Sequence, residues 1–271
     1  MATNNIYQYS VLSALMEGIC QTGITVRDTL ANGDHGIGTV SNLNGEIVII
    51  DGEAYHFPPG ESLRKLELSD ALPFIMITWF KPTIEKLFPS LKMASLPEAL
   101  DPLLPSQQNC FLSIRIDALF DHITFRVMER QSRPRESLAE LAKRQKVFAF
   151  EAIEGTLFGF WSPAFSGGFS VAGFHLHFLS KDKTKGGHVL EFDTKNALLQ
   201  AAAIDEYRVE LPQNEEFNQE VIKSARDEDL HAAEGRLHTV MVWPLVSVSV
   251  LYSYCVFHYY YQGFRTCSSE P

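Results

Sequence analysis

The chain has 271 residues, room for one sizeable core or two modest ones. Its 45% hydrophobic and 21% charged residues are those of an ordinary globular protein and exclude intrinsic disorder. A net charge of −10 excludes a general nucleic-acid surface, which needs clustered Lys and Arg.

Residues 5–20 mix strand-like and helix-like signals. Thr25-Val-Arg-Asp28 has the capping-box pattern that opens a short helix, and Asn32-Gly33 stops it. Gly33-Asp-His-Gly-Ile-Gly38 lacks the GxGxxG order and a following helix, so it is a turn with strand entry and not a phosphate loop. Ile47-Val-Ile-Ile50 and Glu53-Ala-Tyr-His-Phe57 flank Asp51-Gly52, a strong hairpin signal because Asp-Gly suits a tight turn. Leu72 to Phe80 predicts a strand. Pro82 to Pro105 predicts a helical, Pro-punctuated connection, with Ile84, Leu87 and Leu91 on one face. Phe111–Ile116 and His122–Met128 are two further strands. Ser137-Leu-Ala-Glu140 is a capping box opening a helix to about Gln145. Val147 to Phe160 predicts two strands around Glu154-Gly155. Leu198 to Leu211 is strand-like again, and Asn214 to about Ala233 is helical.

Between these lies the most informative segment. In Val171-Ala-Gly-Phe-His-Leu-His-Phe-Leu-Ser180 apolar residues alternate with the imidazoles, so the period is two and the segment is a strand. Phe174, Leu176 and Phe178 then share one face, and His175 and His177 the other. Lys181-Asp-Lys-Thr-Lys-Gly-Gly187 is a turn, and the chain returns as a strand carrying His188. That places His188 opposite or diagonal to His177, roughly 5–8 Å away. Three neutral imidazoles so arranged can hold a divalent transition ion with positions left open. A lone strand histidine is usually a surface or core residue. A third on the adjoining strand favours metal binding, since three ionisable groups on one face bring little packing benefit.

Sheets dominate and no long βαβ alternation is present, which is an α+β plan with mixed or antiparallel sheets and few helices. A boundary near 145 divides it into two β-rich domains, 1–145 and a metal-binding 146–236, followed by 237–271. Cys20, Cys110, Cys255 and Cys267 are scattered, as expected of free thiols in a reducing compartment. The start shows no basic and apolar leader, so a cytoplasmic location is expected. From Leu237 to Phe264 there is no Asp, Glu, Lys or Arg. The length of that run nearly meets the ~20 residues that span a bilayer. Its β-branched and aromatic content and Pro244 suit a strand or interface segment about as well, so membrane contact through 237–264 is one of several readings.

Gly36-Ile-Gly-Thr39, Leu43-Asn-Gly-Glu46, Asp51-Gly-Glu-Ala-Tyr55, Glu154-Gly-Thr-Leu-Phe-Gly-Phe-Trp161, Val171-Ala-Gly-Phe-His-Leu-His-Phe178 and Gly186-Gly-His-Val-Leu190 together resemble the alpha-acetolactate decarboxylase family. The six blocks stand in family order from about Ile6 to Gly235. The resemblance implies two related β-rich domains, a homodimer, and conversion of (S)-acetolactate to (R)-acetoin and carbon dioxide with a bound zinc (Zn2+). By motif it implies His175, His177 and His188 as metal ligands, Glu46, Arg126 and Glu234 as catalytic residues, and Thr39 and Leu43 as lining the substrate pocket. Asn44 stands where the family usually has Asp, and Met128-Glu129 where it has Val-Pro. The long apolar run after Glu234 also departs from the family pattern.

Acetolactate is a β-keto acid, so losing carbon dioxide sends two electrons toward its ketone. A metal acting as Lewis acid stabilises the charge that develops there. Arg126 offers a planar fork for the carboxylate or the oxyanion. Glu46 or Glu234 in a dry pocket is suited to deliver the proton to one face, and Glu46 is alternatively a metal ligand or the holder of the substrate hydroxyl. The imidazoles also accept manganese, iron, nickel or copper. Rival readings are a cupin-type enzyme, a structural zinc site, and a catalytically degenerate homologue acting as a metal-binding or interaction protein. The first lacks its glutamate after the second histidine, and the second lacks a fourth protein ligand.

Overall fold

A computed structural model describes residues 4–101 and 109–223. Fourteen strands follow in chain order: β1 (Asn5–Tyr9), β2 (Ile24–Thr25), β3 (His35–Thr39), β4 (Glu46–Ile50), β5 (Glu53–Phe57), β6 (Arg64–Lys65), β7 (Ala71–Leu72), β8 (Phe74–Thr78), β9 (Ile84–Lys92), β10 (Phe111–Val127), β11 (Lys146–Ser162), β12 (Gly173–Ser180), β13 (Gly186–Ile204) and β14 (Glu206–Glu210). One seven-stranded sheet has the order β14-β1-β8-β3-β4-β5-β6, and a five-stranded sheet has the order β10-β11-β12-β13-β9. β13 also pairs with β10, which closes β10, β11, β12 and β13 on themselves. β14 returns to pair with β1 in parallel, while the other pairings are antiparallel. The change from one sheet to the other falls between Thr78 and Ile84. The result is the expected α+β, sheet-rich class with few and short helices.

Local chemistry set several elements. Asp51 and Gly52 have φ of 51° and 77°, the left-handed pair that a tight two-residue turn between β4 and β5 requires. The Thr25 hydroxyl accepts the Asp28 amide at the start of the Val26–Leu30 helix. Ser137 and Glu140 form the reciprocal capping box of the Leu138–Ala142 helix. A continuous core runs between the sheets, with Ile6, Leu12, Phe57 and Phe74 from one side and Phe158, Phe160 and Leu179 from the other.

Four expectations are corrected. The segment after Pro82 is not helical until Leu96–Leu100; Ile84–Lys92 is edge strand β9, laddered to β13. Its apolar spacing fits a helix face, but an edge strand is buried on little of its surface and tolerates Pro89. The two strands expected within 111–128 are one 17-residue strand, because bulges near Asp117, His122 and Thr124 let it bend without stopping. The two expected within 147–160 are likewise one strand, with Ala152 at φ 52° absorbing the irregularity. The helix expected from Asn214 spans only Glu215–Asn218. Val221 just beyond it is 90% exposed, so no apolar face supports further turns. The rest of that stretch, Glu234 and the 237–264 run lie outside the described residues. Among those described, no helix is long and apolar enough to cross a membrane.

Candidate active site and metal centre

The histidine hairpin forms as the alternation requires. β12 pairs with β13 at His177↔His188 and Phe178↔Gly187. Leu176 and Phe178 pack into one core with Phe120 and Phe192, which turns His175 and His177 to the opposite side. The ring centroids of His175, His177 and His188 lie 5.0–5.4 Å apart, and one nitrogen of each falls within 4.8 Å of the others. All three are buried.

One contact defines the chemistry of this cluster. His177 Nδ1 lies 2.6 Å from the Ile47 carbonyl oxygen of β4. A carbonyl only accepts, so Nδ1 carries the proton and Nε2 presents a lone pair. That Nε2 is buried and without a hydrogen-bond partner. Burial is the chief reason that the pKa of His177 stays well below 6.5, with His175 adding repulsion. A neutral, oriented imidazole with a bare inward nitrogen is the form that ligates a metal, and a backbone carbonyl on its far nitrogen is the usual support. The cluster therefore fits a bound metal ion.

Glu46 and Arg126 meet beside it. Arg126 pairs with His188 across β10 and β13, so its backbone is adjacent to the third imidazole. Its Nη1 lies 3.4 Å from Glu46 Oε1, and Glu46 Oε2 lies 3.8 Å from His177 Nε2. Glu46 opens β4 after a turn of unusual backbone. Asn42 and Leu43 have φ of 62° and 53°, and Gly45 has φ 98°. A side chain at Gly45 would come within 2.1 Å of the Phe57 carbonyl oxygen, so only glycine fits. Leu43 in this conformation costs about 1–3 kcal/mol, a strain that surrounding contacts must hold. Thr39 Oγ1 donates to the Gly45 carbonyl at 2.7 Å, and the Gln131 amide donates to Asn42.

Thr39, Leu43, Glu46, Arg126, His175 and His188 all line one cavity. His177 stands behind them, against Glu46. Of the residues expected from sequence, only Glu234 is not placed, since it falls outside the described residues. The remaining described histidines are engaged elsewhere: His35 contacts Asp34 and Arg115, His56 the Asn44 carbonyl, and His122 Thr124. The apolar wall formed by Leu12, Leu15, Phe74, Met128, Leu138 and Val171 was not foreseen. Such residues come from distant segments and look like any core residue. The Ile47 carbonyl was equally invisible, because a backbone acceptor leaves no mark on the side-chain pattern.

A family profile described as "Alpha-acetolactate decarboxylase" matches residues 6–224. The chain is 36% identical over 242 residues to the alpha-acetolactate decarboxylase of Methylococcus capsulatus, covering 86% of this chain and 89% of that one. It is 34% identical over 215 residues to that of Raoultella terrigena, covering 79% and 83%. The crystal structure of the Bacillus subtilis strain 168 alpha-acetolactate decarboxylase superposes with a TM-score of 0.82 at 29% identity, covering 86% of this chain and all of that one. Similarity of sequence and of fold thus extends through most of both partners in each comparison, and the chain belongs to the alpha-acetolactate decarboxylase family, a family of carboxy-lyases.

Proposed function

We propose that this chain decarboxylates (S)-acetolactate to (R)-acetoin and carbon dioxide, with a divalent metal at His175, His177 and His188. The observation that carries the reading is that Glu46, Arg126 and two of the three imidazoles line one cavity. When bound, the ion supplies Lewis acidity where negative charge develops on the substrate. Zinc is the ion that the resemblance implies, and the same donors accept manganese, iron, nickel or copper.

The chain's own groups divide the remaining work. The Arg126 guanidinium presents a planar, permanently charged fork to the substrate carboxylate or to the oxygen that gains charge. As carbon dioxide leaves, the electrons of the broken C–C bond pass toward the ketone. Protonation of the carbon that bore the carboxylate then completes acetoin. Glu46, within reach of both Arg126 and the histidines, holds the substrate hydroxyl or carries that proton; Glu234 is the other proton donor in this reading. Leu12, Leu15, Leu43 and Phe74 give the cavity an apolar wall that suits the substrate's methyl groups and limits water. The homodimer implied by the resemblance is part of the same proposal, and light scattering of the purified protein tests it.

The direct test is to incubate zinc-loaded protein with racemic acetolactate and follow acetoin against a His175→Ala control. Acetoin formation by the unaltered protein alone, at about one metal per chain, supports the reading. Equal rates in both proteins would sink it and favour a catalytically degenerate homologue.

A further inference from the structure

His56 lies on β5 directly across from Ile47 of β4, 2% exposed and outside the imidazole cluster. Its Nε2 is 2.6 Å from the Asn44 carbonyl oxygen. The carbonyl accepts, so Nε2 carries the proton and donates. Nδ1 is then a buried lone pair without a hydrogen-bond partner. Burial also favours the neutral ring, drawing its pKa below 6.5. A leucine or methionine would occupy this space without burying a bare nitrogen, and would differ from histidine in leaving the Asn44 carbonyl without its donor. Packing alone therefore does not account for an imidazole here.

The peptide that His56 grips belongs to the strained turn before Glu46. From Glu46 onward the backbone is held by ladders on both sides, through Thr39↔Glu46↔Phe57 and Gly38↔Ile47↔His56. Ahead of Glu46 the ladder is absent, and Asn42, Leu43 and Gly45 all have positive φ. Asn42 is tied to Cys20 and Gln131, and Gly45 to Thr39. The hydrogen bond from His56 holds the link between those ties. Both ends of that link carry a cavity residue, Leu43 on one side and Glu46 on the other.

We propose that His56 is a positioning residue, which acts through the Asn44 carbonyl to aim Leu43 and Glu46 into the cavity. This rests on the reading of Glu46 as a catalytic group. His56 is neither among the residues that line the cavity nor one of the three clustered imidazoles, so its loss is expected to alter kcat without altering the metal site.

A double-mutant cycle on the full-length, zinc-loaded protein tests this, using His56→Met, Glu46→Gln and the pair, with His56→Gln as the conservative variant. His56→Met is expected to lower kcat about tenfold or more in the unaltered background and less than twofold in the Glu46→Gln background. His56→Gln, whose amide also donates, should recover at least a third of kcat. Zinc affinity by chelator competition should change less than threefold in each His56 variant. A merely structural role would lower the melting temperature yet leave kcat per folded, metal-loaded molecule unchanged, or lower it equally in both backgrounds. Either result overturns the proposal. Full activity in Glu46→Gln alone would instead overturn the role given to Glu46. A measurement on the unaltered protein holds whether or not a variant folds: 15N shifts at pH 7.5 should show His56 protonated at Nε2, and an Nδ1-protonated ring overturns the proposal.

Discussion

Arg126 and Glu46, 80 positions apart in the chain, face each other with Nη1 3.4 Å from Oε1 and side chains only 3% and 8% exposed. A buried pair of this kind is weak evidence of stability, since desolvating both charges offsets most of their attraction. In the proposed reaction the pair, placed beside three imidazoles, faces the substrate. Glu46→Gln and Arg126→Lys should each lower kcat/KM at least a hundredfold in the acetoin assay, because lysine lacks the planar fork and glutamine the charge. Glu46→Ala should also cost about 3 kcal/mol in urea unfolding, the low end for breaking a buried pair, given the long separation. Unchanged kcat/KM in both would remove these residues from the chemistry.

Metal removal offers a second check. Dialysis against a strong chelator should abolish acetoin formation, and adding back zinc should restore it. His175→Ala, His177→Ala and His188→Ala should each reduce bound metal well below the one per chain expected of the unaltered protein, as read by elemental analysis. Full occupancy in any one of them would show that its ring is not a ligand.

The protonation of His177 gives the metal-free protein a stability that depends on pH. Its folded pKa lies well below the unfolded value of 6.5, so below that value the unfolded chain binds the extra proton. Stability is therefore full above pH 6.5 and falls as pH drops below it, by about 1.4 kcal/mol per pH unit for this one group. His56, lowered by burial in the same direction, adds to the trend. Urea unfolding of the metal-free protein between pH 7.5 and 5 should show that slope, with a shallower one in His177→Asn. Parallel curves for the two proteins would contradict the buried, neutral state of His177.

Two glycines should separate by their surroundings. A side-chain carbon at Gly159 of β11 would stand 2.0 Å from the His175 carbonyl oxygen, so Gly159→Ala must push β12 and its histidines away. Gly52, at φ 77°, faces open space. Gly52→Ala is expected to cost only about 1–2 kcal/mol of backbone strain and to keep kcat. Gly159→Ala should lose metal affinity at least tenfold and be the less stable in thermal unfolding. Similar melting temperatures and metal affinities in the two variants would show that β12 has room to move.

Legibility in the sequence followed the range of the interaction. Thr25 and Ser137 cap helices through bonds that span three residues, and Asp51-Gly52 sets a hairpin through its own two dihedral angles. The histidine hairpin belongs with these, because period-two alternation and one turn suffice to bring His177 opposite His188. The segment 84–92 does not. Its apolar spacing suits a helix, and pairing with β13, about a hundred residues later, made it a strand.

The chain alone thus determined the three-histidine cluster, the caps and the sheet-rich class, since each depends on backbone periodicity and neighbouring side chains. Resemblance pointed to Glu46, Arg126, Thr39 and Leu43, but no local pattern could bring them together. Tertiary packing decided that the Ile47 carbonyl sets the tautomer of His177, that His56 grips the turn before Glu46, and which apolar residues wall the cavity. Those contacts join segments far apart in the chain, so they exist only where the two sheets press their faces together and exclude water between them.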